Sequence, residues 1–111
     1  MEILFSTDAL RKKCSNLNLM IRHWGPKQAR RLGQRLDDLR AAPCLETIFR
    51  LPGRCHPLRG ELKGKFSLDL EHPQRLIFEA ADDPLPRKSD GGLDYGNIRA
   101  VRIIGVKDTH G

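Results

Sequence analysis

The chain has 111 residues, of which 39% are apolar and 31% charged, a balance that excludes a disordered tail and is typical of a soluble globular protein. No apolar run approaches the length of a membrane span, and the N-terminus does not resemble a signal peptide, so we expect one cytoplasmic domain covering residues 1–111. Lys and Arg number 20 against 14 Asp and Glu, a net charge of +6 that favours a polyanion or an acidic protein as partner, with ordinary solubility charge as the alternative.

The first quarter of the chain predicts a strand followed by short helices. Residues 2–5 are a strand candidate, and Ser6, Thr7 and Asp8 after them are good helix caps. A helix is therefore expected over about 7–14. The stretch up to Trp24 remains apolar, and we interpret it as a helical turn or a second helix segment.

A longer amphipathic helix is predicted over residues 26–42, with proline in its first turn. Its apolar residues recur at spacings of three and four, which places one stripe on the core: Ala29, Leu32, Leu36 and Leu39. We assign the basic residues to the other face: Lys27, Arg30, Arg31, Arg35 and Arg40. That face either binds phosphate or a protein partner, or is simply solvated. Pro43 ends the helix, and a short helix around residues 45–49 ends before Pro52.

The second half of the chain predicts a β-hairpin and a final strand. Phe66, Leu68 and Leu70 alternate with Ser67 and Asp69, and residues 76–78 form a second apolar run after a reversal at 72–74. Residues 81–97 are rich in Pro, Gly, Asp and Ser and predict a long exposed loop, and residues 98–107 predict a buried strand. The order of elements indicates a two-layer α+β domain with a mainly antiparallel sheet, helices on one face, and the other face open to a ligand.

The turn that leads into the hairpin surrounds a histidine with cations. Arg59, Lys63 and Lys65 follow His56, and Arg75 opens the second strand. A hairpin does not require this charge to fold. The alternatives are that His56 only caps a turn and that Arg75 only pairs with Glu71 or Glu79 across the hairpin. A zinc site from Cys55, His56 and His72 lacks a fourth ligand at a recognisable spacing, so no metal is expected, and His23 and His72 are assigned to structure.

Three segments together resemble the HigB-like branch of the RelE/ParE toxin superfamily. They are HPLRGE at 56–61 with GKFS at 64–67, RLIF at 75–78, and the closing Asp108-Thr109-His110, which is similar to the Asp-Tyr-His of such toxins. The resemblance implies the RelE/ParE fold and the toxin of a type II toxin–antitoxin pair, acting as a ribosome-dependent mRNA endoribonuclease. It also implies an antitoxin, often a helix-turn-helix DNA binder, as partner. The alternatives are a ParE-like gyrase inhibitor without catalysis and a degenerate toxin that only binds its antitoxin.

The resemblance also assigns roles to residues. The catalytic positions map onto His56, Arg75, Asp108 and His110, and Arg59, Lys63 and Lys65 would hold RNA. Cleavage without a metal or another cofactor uses the ribose 2′-OH as nucleophile, and histidine suits both proton transfers because its unperturbed pKa is about 6.5. The sequence departs from the family pattern at Thr109, which stands in place of tyrosine, and at Asp69, which stands where a basic residue is usual.

Overall fold

The computed structural model describes residues 1–108, which contain four helices and five strands. The helices are α1 (Asp8–Lys13), α2 (Leu17–Trp24), α3 (Pro26–Ala41) and α4 (Leu45–Ile48). The strands are β1 (Glu2–Phe5), β2 (His56–Pro57), β3 (Lys65–Asp69), β4 (Gln74–Ala80) and β5 (Ala100–Asp108). Single turns of 3₁₀-helix lie at Gly60–Leu62 and Tyr95–Asn97. Within this part of the chain, no helix has the length and apolar character needed to cross a membrane.

All five strands form one sheet in the order β1-β5-β4-β3-β2. β1 pairs with β5 in parallel, and the other three pairings are antiparallel. The parallel pair is possible because the helices lie between β1 and the hairpin and carry the chain back over the sheet. The predicted α+β class with a mainly antiparallel sheet is therefore confirmed.

The local sequence explains where the helices begin. The Thr7 side chain accepts a hydrogen bond from the backbone N–H of Leu10, and Asn16 does the same for Leu19, so α1 and α2 each have a side-chain cap. α3 follows Gly25, whose φ of 84° lies in the left-handed region, and has Pro26 in its first turn. The segment after Ser15, which the sequence left open, is a helix of its own.

The core lies between the helices and one face of the sheet. The predicted α3 stripe is confirmed, because Ala29, Leu32, Leu36 and Leu39 are all buried. From the sheet side the fully buried residues are Phe66, Leu68, Leu76, Phe78, Val101 and Ile103. The rings of Phe66 and Phe78 stack at 5.5 Å between centroids. Burying a side chain of this size contributes about 1.5 to 3 kcal/mol, so this layer supplies most of the driving force for the fold.

In the described residues, three short elements were not predicted from the sequence, and one predicted boundary shifts. The basic turn before the hairpin contains β2, which pairs with β3, and a 3₁₀ turn. β4 already begins at Gln74, which we had assigned to the reversal. The loop at 81–97 ends in the 3₁₀ turn, where Tyr95 stacks on Phe49 at 5.0 Å between ring centroids. Each missed element is two or three residues long, which is too short to show a period.

The assignment of Arg35 to the exposed face of α3 was wrong. The residue is 6% exposed, and its Nε donates a hydrogen bond of 2.9 Å to the carbonyl oxygen of Asp69 at the end of β3. Burial, followed by the neighbouring charge of Arg31, lowers the pKa of the guanidinium, while Asp38 and Asp69 oppose that shift. Gly53 makes room for it, because a Cβ there would lie 2.9 Å from Arg35 Nε. Arg35 therefore links the helix layer to the sheet through this hydrogen bond.

We predict that Arg35→Ala destabilises the protein strongly. The change leaves the carbonyl of Asp69 without its donor and opens a void beneath Gly53, which together cost about 2 to 3 kcal/mol of unfolding free energy. Urea denaturation followed by circular dichroism measures the effect. Arg30→Ala on the same helix is the control and is expected to change stability by less than about 0.5 kcal/mol. Equal effects of the two variants would show that Arg35 does not tie the layers together.

Candidate functional site

The face of the sheet that turns away from the helices carries the residues singled out in the sequence. Neighbours across strands point to the same face, so the register defines rows of side chains. One row contains His56, Ser67, Ile77 and Gly105. The next contains Asp69, Arg75 and Lys107. His56 and Arg75 thus lie in adjacent rows although they are far apart in sequence.

The ring of His56 is oriented by hydrogen bonds at both nitrogens. Nδ1 lies 2.9 Å from the carbonyl oxygen of Arg54. A carbonyl oxygen only accepts, so Nδ1 carries a proton, and in the neutral ring Nε2 is the atom with the lone pair. Nε2 lies 3.4 Å from Oγ of the buried Ser67, which is a long contact. In this tautomer Nε2 is the acceptor for the Ser67 hydroxyl, and the two contacts give the exposed imidazole a defined orientation.

Arg75 is held by a carboxylate that also holds a second arginine. Its Nε donates to Asp69 Oδ1 at 3.2 Å, and Arg54 Nε donates to Asp69 Oδ2 at 2.6 Å. The expectation that Arg75 pairs with Glu71 or Glu79 was thus wrong about the partner. Partial burial raises the pKa of Asp69, but the hydrogen bond and charge of Arg54 and the charge of Arg75 outweigh it, so the pKa lies below its ordinary value.

The backbone of Asp69 is fixed as firmly as its side chain. Its N–H donates to the carbonyl oxygen of Gly53 at 2.7 Å, and its own carbonyl accepts from Arg35 at 2.9 Å. Arg54, which follows Gly53, has a φ of 50°, a left-handed conformation that is uncommon outside glycine. Asp69, at the end of β3, therefore contacts α3, the 53–54 turn and β4.

A shallow depression of about 340 Å³ brings the candidate residues together. Its lining consists of His56, Pro57, Leu58, Arg59, Leu62 and Arg75. A proton acceptor and two guanidinium groups thus surround one space, which suits a phosphate ester better than a neutral ligand. Three of the residues predicted to act together, His56, Arg59 and Arg75, are found here.

The other predicted residues lie elsewhere. Lys65 pairs with Glu79 at 3.7 Å, and Arg102 donates to the same carboxylate at 2.9 Å. Lys63 lines a separate cavity of about 890 Å³ beneath the 81–97 loop. Asp108 ends β5 opposite Gln74, one position beyond the pair of Lys107 and Arg75, and has an exposed side chain. His110 lies outside the described residues.

Sequence reasoning missed Arg54 and the pairing of Asp69. The pairing had a signal, because Asp69 and Arg75 flank the reversal at nearly equal distances and face each other once the hairpin register is known. Arg54 had none, since its position depends on the turn at Gly53. The alternative zinc set also has no support in residues 1–108, where no three His, Cys, Asp or Glu side chains are grouped to hold a metal. Burial raises the pKa of its Cys55 member to about 12.

The depressed pKa of Asp69 predicts a pH-dependent stability. Because the folded carboxyl binds its proton less readily than the unfolded one, its contribution is fully present above the unfolded pKa of about 3.9 and is lost as the pH falls through the folded pKa. Between about pH 6 and about pH 2.5, the unfolding free energy is expected to fall less steeply in Asp69→Asn than in wild type. Urea denaturation across this range is the measurement. An identical slope would show that the Asp69 carboxylate does not contribute.

Comparison with known proteins finds similar structures but no sequence match. No protein-family model matches the sequence, and no curated protein matches it. Three solved structures each match 99% of this chain. The first, a YoeB/ParE toxin from Agrobacterium tumefaciens, has a TM-score of 0.62 with 10% identity over 100% of its length.

The other two structures come from Staphylococcus aureus. A YoeB–YefM complex has a TM-score of 0.58 with 16% identity, and a YoeB dimer has a TM-score of 0.58 with 18% identity, each over 98% of the matched chain. At these identities the similarity concerns the fold alone, and it extends over nearly the whole length of this chain and of each matched chain. The chain thus has the fold of the YoeB/ParE toxins.

Proposed function

We propose that this chain is a HigB-like toxin of a type II toxin–antitoxin pair and acts as a ribosome-dependent mRNA endoribonuclease. The observation that carries the proposal is the convergence of His56, Arg59 and Arg75 on one depression of the open sheet face. The fold shared with YoeB/ParE toxins supports the same assignment. The basic balance of the chain, +6, fits a protein that acts on a polyanion in the cytoplasm.

In the proposed reaction the ribose 2′-OH attacks the adjacent phosphate. His56 Nε2 takes the hydroxyl proton as the new O–P bond forms, and its Nδ1–H remains bonded to the carbonyl of Arg54. The bond from phosphorus to the 5′-oxygen breaks, and His110 protonates that oxygen with Asp108 orienting its ring. The products are a 2′,3′-cyclic phosphate and a 5′-hydroxyl. No metal or other cofactor takes part in these steps.

Arg75 supplies the electrostatic part of the mechanism. Its guanidinium lines the depression and is 15% exposed at the side chain, so it stabilises phosphorane charge with little screening by water. Arg59, which lines the same depression, would bind a flanking phosphate. Lys63 and Lys65 are assigned to more distant RNA or to the ribosome, and the pairing of Lys65 with Glu79 reduces its contribution.

The proposal predicts which variants lose activity. Arg75→Ala and His110→Ala are each expected to reduce cleavage of ribosome-bound mRNA by about 100-fold or more, because each removes a group that acts on the transition state. Primer extension on mRNA from purified translating ribosomes measures the cuts. Lys27→Gln on α3 is the control and is expected to cleave like wild type.

Three outcomes would contradict this proposal in whole or in part. Wild-type cleavage by Arg75→Ala at equal concentration would remove that residue from the mechanism. Intact mRNA with wild-type protein, together with stalled replication and inhibited DNA supercoiling, would favour the ParE-like gyrase inhibitor. Intact mRNA without either effect would leave the chain as a degenerate toxin that binds its antitoxin.

We also propose a protein antitoxin with an acidic docking surface. One of the similar structures is a YoeB–YefM complex, and the open face and α3 of this chain both carry cations. The helix offers fewer of them than its sequence suggested, because Arg35 is buried and Arg31 pairs with Glu71 at 3.6 Å. The site face near Arg59 and Arg75 is therefore the stronger attractor for an acidic segment.

Association with the antitoxin is predicted to depend strongly on salt. Electrostatic complementarity raises the association rate, so that rate is expected to fall by about tenfold or more between low and physiological ionic strength, while dissociation changes less. Stopped-flow binding across a salt series provides both rates. Arg59→Glu is expected to slow association more than Arg30→Glu on the helix. The reverse order would move the docking surface to α3, and a flat salt series would assign the encounter to apolar contacts.

A further inference from the structure

We infer that Asp69 is a positioning residue, whose carboxylate couples the phosphate-binding Arg75 to the turn that orients His56. The inference rests on the proposed function for its catalytic consequence, and on the described contacts for its geometry. Asp69 lies at the end of β3 beside the depression and does not line it. It therefore acts through its neighbours and not on RNA itself.

The first argument is that Asp69 is itself immobilised. Its N–H is bonded to Gly53 and its carbonyl to the buried Arg35, so neither the peptide plane nor the Cα can shift without breaking a buried contact. A carboxylate on such a backbone is a fixed reference point for whatever binds it. Arg75 binds at one oxygen and Arg54 at the other. A long side chain such as Arg75 loses rotamer freedom when it is held in this way, before any substrate arrives.

The second argument concerns His56. The residue that ion-pairs with Asp69 through its side chain also supplies, through its carbonyl, the acceptor for His56 Nδ1. The carbonyl belongs to a residue with a φ of 50°, in the left-handed region that is uncommon outside glycine. One carboxylate thus constrains both the cation and the proton acceptor of the proposed site. One of its oxygens binds Arg75, and the other binds Arg54, whose carbonyl contacts His56.

The third argument is one of charge. A carboxylate beside a phosphate site could compete with the phosphate for arginine, but here two guanidinium groups, those of Arg54 and Arg75, share one carboxylate. Two cations and one carboxylate leave this cluster with a net positive charge, so it still attracts an anion. Asp69 thus orders the arginines without cancelling their charge.

The first arm of the test does not depend on activity. In wild type the Arg75 Nε–H signal in a ¹H–¹⁵N spectrum is expected to be protected from solvent exchange by its bond to Asp69. In Asp69→Asn its exchange is expected to accelerate by about tenfold or more, because a neutral amide holds a guanidinium less tightly than a carboxylate. Glu79→Gln is the matched control, since it removes the same charge from the same face and leaves Arg75 in place.

The second arm measures ribosome-dependent cleavage. Asp69→Asn is expected to lower kcat by about 10- to 100-fold, because a displacement of roughly 1 Å in a catalytic group has effects of that size, with KM changed by less than about threefold. Glu79→Gln is expected to retain wild-type kcat. Asp69→Glu, which restores the charge on a longer side chain, is expected to recover only part of the loss.

Arg54→Met is a second variant that tests the same inference if the Asp69 variants do not fold. Arg54 is 78% exposed at its side chain, so this change leaves the core intact, and it is expected to lower kcat by about threefold or more, with Arg54→Lys restoring part of it. Unchanged Arg75 exchange in folded Asp69→Asn would overturn the inference while the proposed function stands. Faster cleavage in that variant would also overturn it, in favour of competition with phosphate. If the wild type cleaves nothing, the proposed function fails, and the exchange arm alone decides whether Asp69 positions Arg75.

Discussion

The hydrogen bond from Arg35 to the carbonyl of Asp69 joins the two layers of the protein where the candidate site begins. It connects a buried guanidinium of α3 with the last residue of β3, and the Asp69 side chain continues the connection to β4 and the 53–54 turn. A buried cation is costly unless its donors are satisfied, so the contact also restricts how the helix can sit on the sheet. The helix layer, on the opposite side of the sheet, therefore helps to determine the geometry of the open face.

Periodicity was enough to predict the layers but not this contact. Arg35 is three residues after Leu32 and four before Leu39, which places it on the apolar stripe by spacing. We assigned it to the solvent by residue type, since arginine is rarely buried. Its burial is offset by the backbone carbonyl at the end of β3 and by the Asp38 carboxylate at 3.8 Å, and no pattern in the helix sequence indicates that carbonyl.

The candidate site was predictable in part for a similar reason. The resemblance grouped His56, Arg59 and Arg75, and sheet register explains why His56 and Arg75 lie on one face, whereas Arg59 lies in the turn after β2. Register also separates Lys65 from Arg75, because their rows lie on either side of the row of His56, and Glu79 is the partner of Lys65. β2 has two residues and the turn before it depends on a left-handed Arg54, so neither could be inferred from alternation.

The open face carries two clusters of equal charge, so its basic character alone does not explain where the candidate site lies. Lys65 and Arg102 share Glu79, and Arg54 and Arg75 share Asp69, so each cluster has two cations for one carboxylate. Long-range attraction for an anion is therefore similar at both. What distinguishes the second is the imidazole of His56, which lines the same depression as Arg75 and has its Nδ1 bonded to the carbonyl oxygen of Arg54. Under the proposed function, charge would bring a polyanion to this surface, and the position of His56 would select where chemistry on it is possible.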